Sequence, residues 1–383
     1  MLLSIESSKD FVPRVSCLRN RMRVALDIRT INPRFPGIGR YVTNLVRHLP
    51  SCLAATDFLM LILESGAERP RAGICGETVI HFCETSAGVF SLAQRWDLPR
   101  RLKDRGVELL HFPLLTVPVP LPIPQILTLH DLIPIRLPQY VSWRARRFFP
   151  GVLRKQLKQV TRVIVPSEFT KQELLRWSRF PAERVRVIPH AAAEPFHQSG
   201  QDEVSRVRRK FSLSEYLLAL ASNRAHKNLE RLEQAYRASN VKVPLVIAGA
   251  GRESREEFSD GPRIIRLGEI PEADLPGLYA GARLFVFPSL YEGFGLPVLE
   301  AMASGCAVAC AGNTALPEVA GSSACYFDPY SRGEIRSCLE ALLNDPQQLK
   351  GLQRQGLARS LDFGWQESAR ATAALYRDVL NDA

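Results

Sequence analysis

The chain has 383 residues, 46% hydrophobic and 23% charged, a composition that suits a globular protein with a substantial core and excludes wholesale disorder. Its eight cysteines form no Cys-x2-Cys pair, so they argue against a zinc site and a disulfide scaffold and read as reduced core residues of a cytosolic protein. The net charge of +11 is uneven: residues 1–200 carry 29 basic and 16 acidic side chains, residues 201–383 carry 21 and 23. A strongly basic half is expected to meet something anionic, whether nucleic acid, a membrane face or a phosphorylated substrate.

Residues 1–21 show neither a strand pattern nor a useful helix, and Glu6 and Lys9 stand where a secretion signal needs its apolar centre. They are expected to be a dispensable extension, with Met22 before the first strand. Arg23–Ile28 is a compact apolar run, followed by a turn at Pro36-Gly37-Ile38-Gly39 and a helix in which Tyr41, Leu45 and Leu49 recur every four residues. Further strands are predicted at 58–63, 78–82, 107–112, 124–129, 162–166 and 184–189, with helices between them. The least polar stretch, Leu109–Leu129, carries five prolines and cannot sustain a membrane-spanning helix.

After a loop at 189–200 the alternation resumes, with strands predicted at 216–221, 243–248, 264–267, 284–287 and 307–309. Helices are predicted at 228–238, 273–279, 297–303 and 334–343. Strands alternating with helices imply parallel sheets covered on both faces. The fold class is therefore α/β: two doubly wound, Rossmann-like domains, at 22–195 and 196–365, facing a cleft. Ligands of such sheets bind beyond the carboxyl ends of the strands.

The densest motif runs from Leu284 to Ala311. A strand ends at Pro288, a loop carries Glu292-Gly293-Phe294-Gly295, and a helix opens at Leu296-Pro297. Its free N–H groups and partial positive charge suit a diphosphate, and Glu300 on that helix suits a ribose. Taken alone, the glycines also fit an ordinary turn and Glu300 a solvated helix face. No Asp-x-Asp pair of the kind that holds a divalent metal on a diphosphate occurs.

Glu292 and Glu300, with Gly293-Phe294-Gly295-Leu296-Pro297 between them, resemble the Glu-x7-Glu signature of the retaining glycosyltransferases of family GT4, which have the GT-B fold. Pro36–Tyr41, Leu129-His130-Asp131-Leu132, Val165–Thr170, Val187–His190 and His226-Lys227-Asn228-Leu229 follow in the family's order. The resemblance implies transfer of a hexose from a nucleotide sugar to an acceptor hydroxyl, with no metal and no other cofactor. It places His130, Lys227 and Glu292 at the chemistry. It places Gly37, Gly39, Arg224, Ile270, Gly293, Phe294, Gly295, Leu296 and Glu300 around the donor. Mannose from GDP-mannose is the favoured donor, by similarity to bacterial mannosyltransferases of polysaccharide assembly, and the acceptor is expected to be a lipid-linked saccharide. Residues 366–383 would form a helix crossing back to the first domain. A GT-B sugar-nucleotide epimerase and a non-catalytic scaffold are the competing readings.

The segment Leu132–Ser167 has eight Lys or Arg and no Asp or Glu. Trp143, Arg144, Arg146, Arg147, Phe148, Arg154, Lys155 and Lys158 suit an anionic lipid interface. No helix-turn-helix, zinc-finger or RNA-recognition signature accompanies them, so nucleic acid is not the expected partner. The expected location is the cytoplasm, at the inner face of the cytoplasmic membrane.

Overall fold

A computed structural model describes residues 21–32, 34–70, 76–196, 200–221, 224–249, 254–256 and 263–382. The expected N-terminal extension, apart from Arg21, lies outside the described residues, as do Cys17 and Cys75.

The first sheet contains β1 (Arg23–Asp27), β2 (Phe58–Glu64), β3 (Val79–Thr85), β4 (Leu109–Phe112), β5 (Gln125–Thr128), β6 (Arg162–Val165) and β7 (Val185–Val187). Its order is β3-β2-β1-β4-β5-β6-β7, with every pair parallel. The crossovers are α1 (Pro36–His48), α2 (Gln94–Asp104), α3 (Ile133–Arg136), α4 (Trp143–Leu157) and α5 (Glu168–Trp177). The apolar runs are continuous because both faces are covered. Val24, Leu26 and Ile28 join Leu59, Leu61 and Leu63 in one core, while Ala25 joins Phe58, Met60 and Ile62 in the other.

The second sheet comprises β8 (Leu217–Ala221), β9 (Leu245–Gly249), β10 (Ser254–Glu256), β11 (Ile264–Gly268), β12 (Leu284–Phe287), β13 (Val308–Ala311) and β14 (Cys325–Phe327). The order is β10-β11-β9-β8-β12-β13-β14, and only the β10 edge pairs antiparallel. Its helices are α6 (Gln201–Phe211), α7 (Leu229–Arg237), α8 (Leu275–Gly281), α9 (Leu296–Ala303), α10 (Leu316–Ala320), α11 (Arg332–Asn344) and α12 (Pro346–Ser360). The last helix, α13 (Trp365–Asn381), buries Trp365, Ala369, Ala373, Tyr376 and Val379 in the first domain's core beside Leu45 and Leu49.

In each sheet the chain reverses its direction of travel once, between β1 and β4 and between β8 and β12. Loops at such a switch point diverge and leave a crevice at the strands' carboxyl ends. The loops after the adjacent strands β8 and β12 carry Lys227 and Glu292, so the second sheet's topology brings these two together, and Gly37 lies in the corresponding loop after β1 of the first sheet. Cys52, Cys83, Cys306, Cys310, Cys325 and Cys338 are free thiols. Among the described residues no helix is long and apolar enough to cross a membrane.

Candidate active site

Lys227 closes a short 3-10 turn, Ala225–Lys227, after β8, and its Nζ lies 2.6 Å from Glu292 Oε1 and 4.9 Å from the centre of the Phe287 ring. Asn228 sets this geometry. It adopts a left-handed conformation (φ 62°), and its side-chain amide donates to the carbonyls of Pro288 at 3.0 Å and Pro329 at 2.8 Å. The loops after β8 and β12 are thereby tied together. Glu292 is held from the other side, where its N–H donates to Thr314 Oγ1 at 3.2 Å. Arg224 is exposed at the start of the turn, next to residues outside the described set.

The donor-motif helix α9 starts at Gly295 (φ 109°) with no side-chain cap, and α1 starts at Pro36 with no side-chain cap either. Two N-termini without a side-chain cap, each with a proline in its first turn and a partial positive charge, therefore open at the carboxyl ends of the two sheets; in α9 the Val298 and Leu299 N–H groups donate to the Gly295 carbonyl. Arg40, one turn into α1, crosses to α9: its guanidinium contacts Glu300 Oε1, and its Nε lies 3.2 Å from Glu272 Oε1. Glu300 is only 1% exposed and also accepts a 3.3 Å hydrogen bond from the Tyr279 hydroxyl. Burial pushes its carboxyl above the usual range, and Arg40 opposes that shift. Glu300 is thus not the open ribose acceptor its helical position suggests; in this state it is Arg40's partner.

The glycines divide by what surrounds them. A Cβ on Gly37 would meet nothing within 4 Å, so that position is open. On Gly39 it would come 3.0 Å from the Thr30 carbonyl oxygen, and on Gly295 2.5 Å from Leu316 Cδ2. On Gly293 it would lie 1.8 Å from the His130 carbonyl oxygen. The Gly293 carbonyl accepts hydrogen bonds from Ser167 Oγ (2.7 Å) and Thr170 Oγ1 (3.0 Å). The missing side chain of Gly293 thus admits the other domain's backbone. Glu318 completes the seam, accepting from the N–H groups of Glu168 (2.8 Å) and Phe169 (3.1 Å) at the start of α5.

His130 has both ring nitrogens engaged. Nε2 donates to the Pro113 carbonyl at 2.8 Å, so Nδ1 accepts from His190 Nε2 at 3.2 Å. Burial lowers the His130 pKa to about 4, and lowers that of His190 well below the usual value. At neutral pH His130 is therefore uncharged and locked in one tautomer. Tyr41, Phe294 and Trp365 pack around His190, with ring centres 4.6, 5.2 and 5.9 Å away. Leu296 opens α9, while Ile270, after β11, packs half-buried on the second core.

Arg40, Asp131, Ser167 and Thr170 all lie inside motifs noted in the sequence, yet their roles were not legible there. Asp131 Oδ1 accepts from the Ile133 N–H at 2.9 Å. Burial raises the pKa of its carboxyl; nearby Glu292 adds to the rise, while Arg224 and Lys227 oppose it. Among the described residues no His, Cys, Asp and Glu cluster is arranged to hold a metal ion.

Residues 36–192 match the family described as Glycosyltransferase Family 4, and residues 215–345 match Glycosyl transferases group 1. The O-antigen chain mannosyltransferase B of Escherichia coli is 31% identical over 268 residues, 65% of this chain and 69% of that protein. A serotype-specific mannosyltransferase, WbdA, also from Escherichia coli, is 32% identical over 63% of this chain, which spans only 32% of that longer relative. In three dimensions the chain superposes on sucrose-phosphate synthase from Thermosynechococcus elongatus with a TM-score of 0.73 at 19% identity, covering 95% of this chain and 100% of the other. The two paired Rossmann-like sheets, the motif loops gathered at their switch points and the match to both family halves lead to one assignment: the chain belongs to the GT4 glycosyltransferases and is a glycosyltransferase of GT-B fold.

Proposed function

We propose that the protein transfers a hexose, mannose from GDP-mannose in the first instance, to a lipid-linked saccharide during assembly of a surface polysaccharide, with retention of anomeric configuration and without a metal. The observation that carries this reading is the Lys227–Glu292 ion pair, whose charges reach the buried Asp131 carboxyl of the first domain. The names of the mannosyltransferase relatives support the choice of sugar.

In this reading the donor diphosphate lies between α1 and α9, near Gly37, Gly39 and Leu296. Lys227 exchanges Glu292 for a phosphate oxygen, and Glu292, once released, is free to accept from sugar hydroxyls. Glu300 holds the ribose after Arg40 gives way. The bond from the anomeric carbon to the phosphate oxygen breaks while the acceptor oxygen bonds to that carbon on the same face. The acceptor proton passes to the leaving phosphate. Neutral His130, with both nitrogens occupied, takes no proton in this scheme and holds the loop after β5 in place. Lys227 supplies fixed charge where negative charge develops, a stabilisation worth roughly 100–1,000-fold in rate.

The proposed anionic membrane surface meets α4. Trp143 and Phe148 are 69% and 57% exposed. At 100° per residue, they share an arc of about 140° with Arg144, Arg147, Arg154, Lys155 and Lys158. Arg146 flanks the arc, and Leu153, Gln156 and Leu157 face inward. In this reading the enzyme works peripherally at the cytoplasmic face of the membrane, with Trp143 at the cleft end of the helix.

The test is incubation with GDP-mannose, UDP-glucose and other sugar nucleotides, with and without EDTA, following nucleotide release. Release from GDP-mannose that persists in EDTA is the expected result. Release from another donor replaces the sugar assignment, loss on chelation refutes metal independence, and release from none refutes the assignment of transfer activity to this pair.

A further inference from the structure

On the far side of the second domain, at the amino ends of β12 and β13, α6, α8, α12 and the turn after α9 line a half-open cavity of roughly 570 Å3. That volume falls within the range of small-molecule sites, about 300–1,000 Å3. Arg208, Lys350 and Arg354 line it, together with Gln201, Gln353 and Ser304, and no Asp or Glu is among the described residues that do. Lys350 and Arg354 lie one turn apart on α12, a like-charge spacing that by itself destabilises the helix. Neither forms an ion pair with a carboxylate among the described residues.

Two polar groups at the floor are incompletely satisfied. Arg208 Nη2 donates to the Gly281 carbonyl at 2.8 Å, which fixes the guanidinium against the end of α8, yet its buried Nε has no partner. The Ser304 hydroxyl, on a residue only 1% exposed, has none either. Buried polar groups are normally paired, so an orphaned Ser304 hydroxyl and an incompletely satisfied Arg208 guanidinium beside Lys350 and Arg354 mark a place built for an acceptor-rich anion.

We propose that this cavity binds a compact phosphorylated molecule, with the phosphate held by Lys350, Arg354 and the Arg208 guanidinium, and with Ser304 donating to a phosphate oxygen. The site is separate from the donor cleft. Helix α9 connects the two, with Gly295 at the cleft end and Ser304 at the cavity end. The inference rests on this geometry and not on the choice of donor sugar.

The experiment titrates inorganic pyrophosphate by calorimetry into a Lys227→Ala protein, so that the cleft's own phosphate contact is removed from the signal. The same titration is run with Lys350→Ala/Arg354→Ala added, and separately with Ser304→Ala added. Binding to the Lys227→Ala protein that falls at least tenfold in the double substitution, with an unchanged thermal midpoint, is the expected result. The exposed positions of Lys350 and Arg354 make unfolding an unsuitable explanation for such a loss, and Ser304→Ala should weaken binding by several-fold. No binding to the Lys227→Ala protein, or binding undiminished by the double substitution, overturns the proposal.

Discussion

Replacing Gly293 with alanine is expected to part the two domains without unfolding either. The added Cβ would lie 1.8 Å from the His130 carbonyl oxygen, whereas a carbon and a carbonyl oxygen ordinarily keep about 3.3 Å. Both partners are backbone, so no rotamer change relieves the conflict, and the seam must open by about 1.5 Å. That displacement breaks the 2.7 and 3.0 Å bonds from Ser167 and Thr170 to the Gly293 carbonyl. Two such bonds contribute about 2 kcal/mol together, and a shift of this size at a reacting centre costs on the order of 100-fold in rate. The assay is nucleotide release beside thermal unfolding and small-angle scattering. A larger radius of gyration, a lower midpoint and a large fall in turnover are expected. Gly37→Ala is the control: with nothing within 4 Å it should leave stability intact and raise only the donor KM. A Gly293→Ala protein with wild-type turnover and midpoint would refute the steric argument.

Lys227→Ala should fold normally and lose roughly 100–1,000-fold in kcat; a thermal scan and single-turnover kinetics check this, and retained turnover removes Lys227 from the chemistry. Glu300→Gln should act mainly on the donor KM, by about 10–100-fold, as expected for losing a hydrogen bond to a charged group; a change in kcat alone contradicts a ribose contact. His111, His130 and His226, with pKa values lowered by burial to about 3, 4 and 4, stay neutral in the folded chain at pH values where unfolded histidine is protonated. Their contribution to stability is complete above about pH 6.5 and falls with pH below it, by about 1.4 kcal/mol per unit for each histidine. Chemical denaturation at pH 7.5 and 5.5 measures this, and equal midpoints would contradict the burial. Binding to anionic but not neutral liposomes, weakened by salt and by substituting Arg144, Arg147 and Lys155 with Glu, is expected of α4; sedimentation decides it.

The sheet strands were legible where both faces are buried, because runs such as 58–63 and 284–287 leave no room for a polar side chain. The edge strands β10 and β14 were not predicted, although the equally short edge strand β7 was. In the site, residue type and spacing pointed to Glu300 and the glycine loop before it, while Lys227 and Glu292 were singled out by the family resemblance. Arg40 was not legible, because its partner Glu300 is 260 residues away and only the closed arrangement of the two domains joins them. Gly293 shows the same limit: a glycine records that something approaches closely, not whether it is a ligand or the neighbouring domain's carbonyl.

The C-terminal helix sets an order of events during synthesis. The Tyr376 hydroxyl lies 2.7 Å from His111 Nδ1, deep in the first domain, and Trp365 and Val379 fill the same core. The ribosome completes β7 nearly 180 residues before it reaches Trp365, an interval on the order of tens of seconds at ordinary elongation rates. Throughout that interval the first domain exposes an apolar face and keeps His111 without this partner, while the second domain can form independently. The half of the enzyme that is made first is therefore finished last, and a chain that stops short of α13 leaves an unsealed domain for chaperones and proteases to find.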